Sequence, residues 1–184
     1  MGKFAGKYWS ESHRLRGWNY SRNGNYFITI NAKYSRCWFG EIKNGVMINN
    51  AFAQIVEEQW LQSFSMRPDL YLDTWVLMPN HLHAIIFINS AIERGNCMGG
   101  FILNNEEKNP VLQRPKNSIS SFMAGFKSAS MARIDDYIDQ QGLQVPKFNR
   151  NNKLWHHSYY DTVIKAEDDL VRIRKYIKDN PIKW

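Results

Sequence analysis

His81 and His83 flank Leu82 in the run Met78-Pro79-Asn80-His81-Leu82-His83. Side chains alternate between the two faces of a strand, so both imidazoles project the same way, close to a turn where a ligand can enter. Two imidazoles on one face can chelate a divalent ion; they can equally be polar residues held in place by hydrogen bonds. Near the other end of the chain, Tyr176 and Asn180 are four residues apart, which sets them about 40° apart around a helix. Leu170, Ile173 and Ile177 form the apolar stripe beside them. A phenol and an amide at the edge of a docking face can reach a site without being entombed. The carboxamide oxygen is a hard donor that suits Mg²⁺ or Mn²⁺. A plainer reading remains open for this pair: a ring packed on a sheet and a helix cap before Pro181.

The elements that must carry these groups can be read from the same chain. Tyr26 to Ile30 is rich in β-branched and aromatic residues and predicts a strand. A hairpin follows, Cys37 to Gly40 and Val46 to Ile48, around the Asn44-Gly45 turn. Phe52, Ile55, Val56, Trp60 and Leu61 recur at helical spacing between Asn50 and Phe64. Leu70 to Val76 and His81 to Ile88 predict two strands joined at Met78-Pro79-Asn80. Residues 89–117, rich in Asn, Gly and Pro, predict one long loop. Ser118 to Gln140 predicts a helix, His156 to Ile164 a short strand, and Ala166 to Asp179 a last helix ended by Pro181. This order predicts an α+β sandwich, an antiparallel sheet with helices packed on one face, close to a ferredoxin-like split βαβ unit.

Composition narrows the partners. The chain has 184 residues, 24 Lys+Arg against 17 Asp+Glu, a net charge of +7 and 14% aromatic residues. That length fits one domain, and 43% hydrophobic content excludes a disordered tail protein. Basic charge is clustered. Lys3, Lys7, Arg14, Arg16 and Arg22 oppose Glu11 alone, and residues 108–133 hold Lys108, Arg114, Lys116, Lys127 and Arg133 with no acid. Clustered cations with interleaved aromatics suggest a polyanion whose bases can stack, hence nucleic acid. Cys37 and Cys97 lack metal-ligand spacing, residues 1–20 hold no apolar signal core, and the uncharged run Thr74–Ile92 is interrupted by Pro79, Asn80, His81, His83 and Asn89. A cytoplasmic protein without a membrane span is therefore expected.

Val76 to His83, together with Lys175-Tyr176-Ile177-Lys178-Asp179-Asn180-Pro181-Ile182-Lys183-Trp184, resembles the single-tyrosine HUH transposases. The closest likeness is to the REP-associated tyrosine transposases of bacterial chromosomes. Arg14-to-Tyr20, Phe39-Gly40-Glu41-Ile42, Ser121-Phe122 with Phe126-Lys127-Ser128, and Trp155 followed by Tyr159-Tyr160-Asp161 are similar to that family as well. The resemblance spans about Arg14 to Trp184, and it implies one HUH transposase-like domain over 1–184.

The family's roles, carried over, make His81 and His83 metal ligands, Asn180 a third ligand and Tyr176 the nucleophile. They imply a divalent metal, Mg²⁺ or Mn²⁺, and single-stranded or hairpin DNA, nicked through a covalent 5′-phosphotyrosine. Lys175 or Lys178 would help the phenol ionise. The basic segment 1–24 and the helix from Ser118 would bind DNA, with Arg14, Arg16, Trp18, Lys116, Lys127 and Arg133 as candidates. One departure is Thr162, where the family often has His. Rival readings are a replication-initiation or relaxase-type nickase, an inactive nucleic-acid-binding module, and a metallohydrolase that uses water. Relatives work as monomers or as homodimers.

Overall fold

The computed structural model describes residues 22–89 and 118–184, together with the backbone of a small ladder of β1 (Lys3–Phe4) and β2 (Lys7–Tyr8). Next come β3 (Gly24–Asn31), β4 (Gly40–Lys43), β5 (Val46–Asn49), α1 (Ala51–Ser65), β6 (Leu70–Met78) and β7 (His81–Ile88). After these stand α2 (Ile119–Gln140), β8 (Tyr160–Ile164) and α3 (Glu167–Asp179). The long loop expected at 89–117 lies, past Asn89, outside the described residues.

Four strands form one sheet in the order β6-β7-β3-β8, every neighbouring pair antiparallel. This is the split βαβ order, with the β4–β5 hairpin inserted after β3. Alternate residues of the two central strands, Tyr26, Ile28 and Ile30 in β3 and Leu82, Ala84 and Ile86 in β7, are fully buried in one cluster with side chains of α1 and α2. Trp60 of α1 stands at that cluster's centre. Its ring centroid lies 5.1 Å from Phe64, 5.6 Å from Phe122 and 4.9 Å from Phe126, all edge-on. Much of the aromatic content is thus core packing, where edge-to-face pairs add to area burial. Among the described residues the exposed aromatics are Tyr34, Tyr71, Tyr160, Tyr176 and Trp184.

The other face of the sheet receives α3. Phe27, Val76 and Ile85 pack there with Leu170, Ile173 and Ile177. So α1 and α2 back one face, and the helix that carries Tyr176 docks on the opposite one. Local signals fix the ends of these helices. The Asn50 side chain accepts from the Ala53 N–H at 3.0 Å, and Ser118 accepts from the Ser121 N–H at 3.2 Å. Glu167, Asp168 and Asp169 occupy the first turn of α3, at its positive end.

Two features lock α3 and the chain end in place. The register of β6 against β7 shifts between Leu72 and Trp75, a bulge that includes Asp73. The Asp73 carboxylate accepts from Arg174 of α3, Nε at 2.9 Å and Nη2 at 2.6 Å from Oδ2. The Asn44-Gly45 turn of the β4–β5 hairpin has both residues at positive φ, 52° and 73°. A Cβ on Gly45 would stand 3.4 Å from the Ile182 Cα, so this turn abuts the segment leading to Trp184. Arg174→Ala is expected to be mildly destabilising, as for an exposed but well-aligned ion pair. A urea double-mutant cycle with Asp73→Ala checks this: non-additivity is expected, and additive effects would deny the pairing its role.

The strand expected from His156 begins only at Tyr160. The Lys127 ammonium donates to the carbonyls of His156 and Ser158, each at 2.8 Å, and draws that segment out of the ladder.

Candidate active site

Alternation in β7 sends His81, His83 and Ile85 to the α3 face, while Leu82 and Ala84 enter the main core. Tyr176 is four residues from Asn180, and both reach the histidines within the same chain. The Tyr176 hydroxyl lies 3.3 Å from His83 Nε2. Asn180, buried at the C-terminal cap of α3, lies beside His81 and acts to raise the imidazole's pKa. The two imidazole centroids are 4.4 Å apart.

Each imidazole is anchored through its other nitrogen. Asn80 donates its Nδ2 to the Ser35 carbonyl at 3.2 Å, which turns its Oδ1 toward His81. That oxygen can only accept, so His81 Nδ1, 2.7 Å away, is the donor and Nε2 keeps its lone pair. His83 Nδ1 shares a hydrogen with Thr29 Oγ1 at 2.8 Å, Thr29 being its register partner across β3. Ring contacts complete the frame. Phe27 stacks on His83 at 5.3 Å and meets Tyr176 edge-on at 6.0 Å, and Trp184 lies 5.7 Å from His81. Such outer contacts set the tautomer and aim of a ligating histidine.

Burial lowers both imidazole pKa values. His83 is pushed down to about 3 by burial and then by the neighbouring His81. His81 is lowered by burial, with the Asn180 hydrogen bond acting in the opposite sense. Both rings are therefore neutral at pH 7, the form in which imidazole ligates metals. In the unfolded chain they titrate near the ordinary value of about 6.5. Below that pH the unfolded state takes up protons that the folded state refuses, so stability falls as the pH drops from about 6.5 toward about 3. In chelator, the urea midpoint is expected to fall between pH 7.5 and 5, and to fall less in His83→Gln. Equal losses in both proteins would contradict this.

Among the described residues no group of three or more His, Cys, Asp or Glu could hold a metal. The donors at this site are two neutral imidazoles and one carboxamide. That mixed nitrogen and oxygen set, with both imidazole Nδ1 atoms tied back, fits a divalent ion that draws its remaining ligands from outside the chain.

The other sequence candidates fall elsewhere. Arg14, Arg16, Trp18 and Lys116 lie outside the described residues. Lys127 acts as the strut between α2 and residues 156–158. Arg133 is exposed on α2, 3.9 Å from Asp136. Tyr159 hydrogen-bonds Ser120 at 3.1 Å and packs on the main core. His156 and His157 stand side by side, 4.4 Å between centroids, and His156 Nδ1 lies 2.9 Å from Ser158 Oγ. Of the two lysines beside Tyr176, Lys175 lines a cleft together with it, whereas Lys178 acts on Asp73. Sequence reasoning passed over Thr29 and Phe27. The pairing of β3 with β7 reveals both, because it sets Thr29 opposite His83 and Phe27 opposite Ile85.

No protein-family model matches the sequence. The chain is 32% identical over 182 residues to an uncharacterized protein of Haemophilus influenzae, covering 98% of this chain and 92% of that one. Among solved structures it is similar to a REP-associated tyrosine transposase bound to a REP hairpin. That likeness has a TM-score of 0.56 and 18% identity, and covers 95% of this chain and 74% of the other. Among the described residues no helix is long and apolar enough to cross a membrane.

Proposed function

This chain belongs to the same family as the Haemophilus influenzae protein and has the fold of a REP-associated tyrosine transposase, and from that premise we propose that it is a transposase-like DNA strand transferase that acts on single-stranded or hairpin DNA. The observation that carries the reading is the Tyr176 hydroxyl 3.3 Å from an imidazole of the His81–His83 pair, with Asn180 beside His81. A phenol so placed, in a site that a divalent cation fits, has the parts needed for covalent phosphoryl transfer.

His81, His83 and Asn180 would hold Mg²⁺ or Mn²⁺. The ion, when bound, would supply Lewis-acid stabilisation of charge on the phosphate. Tyr176 attacks the scissile phosphorus in line. A Tyr176 oxygen–phosphorus bond forms as the bond from phosphorus to the 3′-oxygen breaks, which leaves a 5′-phosphotyrosine and a free 3′-hydroxyl. The phosphodiester is conserved in the enzyme–DNA bond, so a second 3′-hydroxyl can reverse the step without a nucleotide triphosphate. Lys175 lines the cleft on which Tyr176 opens. His83, held by Thr29 and stacked on Phe27, keeps its Nε2 on the reacting side. Every side chain named comes from one chain, which supports a site complete in a single subunit.

The test is incubation with Mn²⁺ and a labelled single-stranded or hairpin oligonucleotide. Retarded, protein-linked DNA on a denaturing gel is the expected product. Cleavage with no linked product would replace this reading by hydrolysis through water.

A further inference from the structure

His83 has one nitrogen to offer at the site, and in the metal-free protein that nitrogen already has a partner. Its Nδ1 lies 2.8 Å from Thr29 Oγ1, and its Nε2 lies 3.3 Å from the Tyr176 hydroxyl. The ring is held so that no other atom can face the site. It is only 6% exposed, stacked on Phe27 at 5.3 Å and tied to β3 through Thr29. A neutral imidazole carries one N–H and one lone pair, and both tautomers lead to the same exclusion. With the proton on Nδ1, Thr29 Oγ1 accepts it and the Tyr176 O–H donates to the Nε2 lone pair. With the proton on Nε2, the phenol oxygen accepts it and the Thr29 O–H donates to Nδ1. In the first case a metal ion must take the lone pair from the phenol's proton. In the second the Nε2 proton must leave, and Nδ1 must become the donor to Thr29. Either way, a metal–Nε2 bond and the Tyr176–His83 hydrogen bond cannot coexist.

We propose that Tyr176 and the divalent ion are rival partners of His83 Nε2, so that the metal-free site holds its own tyrosine in check and metal loading releases the phenol. The proposal rests on the reading above that His81 and His83 hold the metal. Two features fit Tyr176 to a change of partner. Its hydrogen bond, at 3.3 Å, is long, so little is lost when it breaks. The residue is exposed and borders a cleft of about 520 Å³, lined in part by Phe27 and Thr162, into which its ring can turn. The helix need not move with it. Leu170, Ile173 and Ile177 pack α3 on the sheet, and Arg174 ties it to Asp73. Asn180, buried at the cap, stays beside His81. The switch is therefore one side chain on a fixed helix. It orders the reaction: the phenol waits on His83 until the ion arrives, so the attacking group is freed only in a site that can stabilise the charge it creates.

The test reads metal affinity rather than cleavage. Mn²⁺ binding is measured by calorimetry, without DNA, in the unaltered protein and in Tyr176→Phe, Tyr160→Phe and His83→Ala. Tyr176→Phe keeps the ring and removes the rival, and is expected to bind Mn²⁺ about threefold more tightly or better, the worth of one hydrogen bond of modest net strength. Tyr160→Phe makes the same chemical change at the sheet edge and is expected to leave the affinity as it is. His83→Ala is expected to weaken it. Unchanged affinity in Tyr176→Phe beside weakened affinity in His83→Ala would overturn the proposal and leave the metal site standing. Weaker binding in Tyr176→Phe would overturn it by making the phenol a ligand, and an equal gain in Tyr160→Phe would overturn it as a general effect. Affinity unchanged in His83→Ala, or no Mn²⁺ bound by any of the proteins, would remove the metal site and this proposal with it. A second measurement uses Mg²⁺ and protein isotope-labelled at tyrosine Cζ. The resonance missing from Tyr176→Phe is expected to move as Mg²⁺ saturates the site; a resonance that stays in place would contradict release.

Discussion

Tyr176→Phe is expected to lower DNA cleavage by at least about 10³-fold and to eliminate the protein-linked product. The substitution removes one oxygen. Tyr176 is 43% exposed, and its ring contacts with Phe27 and His83 do not use the hydroxyl, so the fold should be unaffected within about 0.5 kcal/mol. The rival most in need of exclusion is Tyr160. It faces Thr29 on β3, and Thr29 faces His83 on β7, so the Tyr160 and His83 backbones are two strand spacings, about 10 Å, apart. A linked product that survives in Tyr176→Phe and disappears in the double variant with Tyr160→Phe would move the nucleophile to the sheet edge. Gel quantitation of the unaltered protein and the two variants distinguishes these outcomes.

The second large effect concerns the imidazoles. His81→Ala or His83→Ala leaves one nitrogen and one carboxamide, too few chain ligands for a divalent ion in competition with water. Mn²⁺ affinity measured by calorimetry is expected to fall by at least about 100-fold in either variant. Cleavage should fall with it and recover only in part at high Mn²⁺. Thr29→Val should act in the same direction and more weakly, since it frees the His83 ring to turn without removing a ligand. Mn²⁺ affinity unchanged in both histidine variants would place any metal elsewhere in the chain. The main core lies on the other face of the sheet, so these changes leave Trp60 and its ring cluster intact.

The legible parts of this molecule are those written in local chemistry. The Asn-Gly turn required positive φ at both positions and has it. Asn50 and Ser118 announced helix starts because their side chains satisfy first-turn N–H groups. His-x-His on a strand and Tyr-x-x-x-Asn on a helix each define a face by period alone, which is why the candidate residues could be named before their distances were known. What escaped depends on pairing between distant segments. Thr29 is unremarkable until β3 is laid against β7 in register. The cleft beside Tyr176 depends on how α3 is held, and so on where Arg174 finds Asp73, a contact between distant segments made possible by a bulge. Lys127, in a basic stretch that suggests a phosphate contact, has partners the sequence does not reveal: two backbone carbonyls accept from its ammonium. The aromatic surplus divided in the same way, with Trp60, Phe126 and Trp155 in the core and Tyr176 and Trp184 at the site.

The proposed chemistry requires Tyr176 to form a bond to DNA beside the His81–His83 pair. Its most direct test is peptide mapping of the covalent product. The protein is reacted with Mn²⁺ and the hairpin oligonucleotide, the adduct is digested with nuclease and protease, and the modified peptide is sequenced by mass spectrometry. A nucleotide joined through phosphate to Tyr176, in the peptide that continues into Ile177, is expected. A nucleotide on Tyr160 or any other residue, or cleaved DNA with no modified peptide, would contradict it.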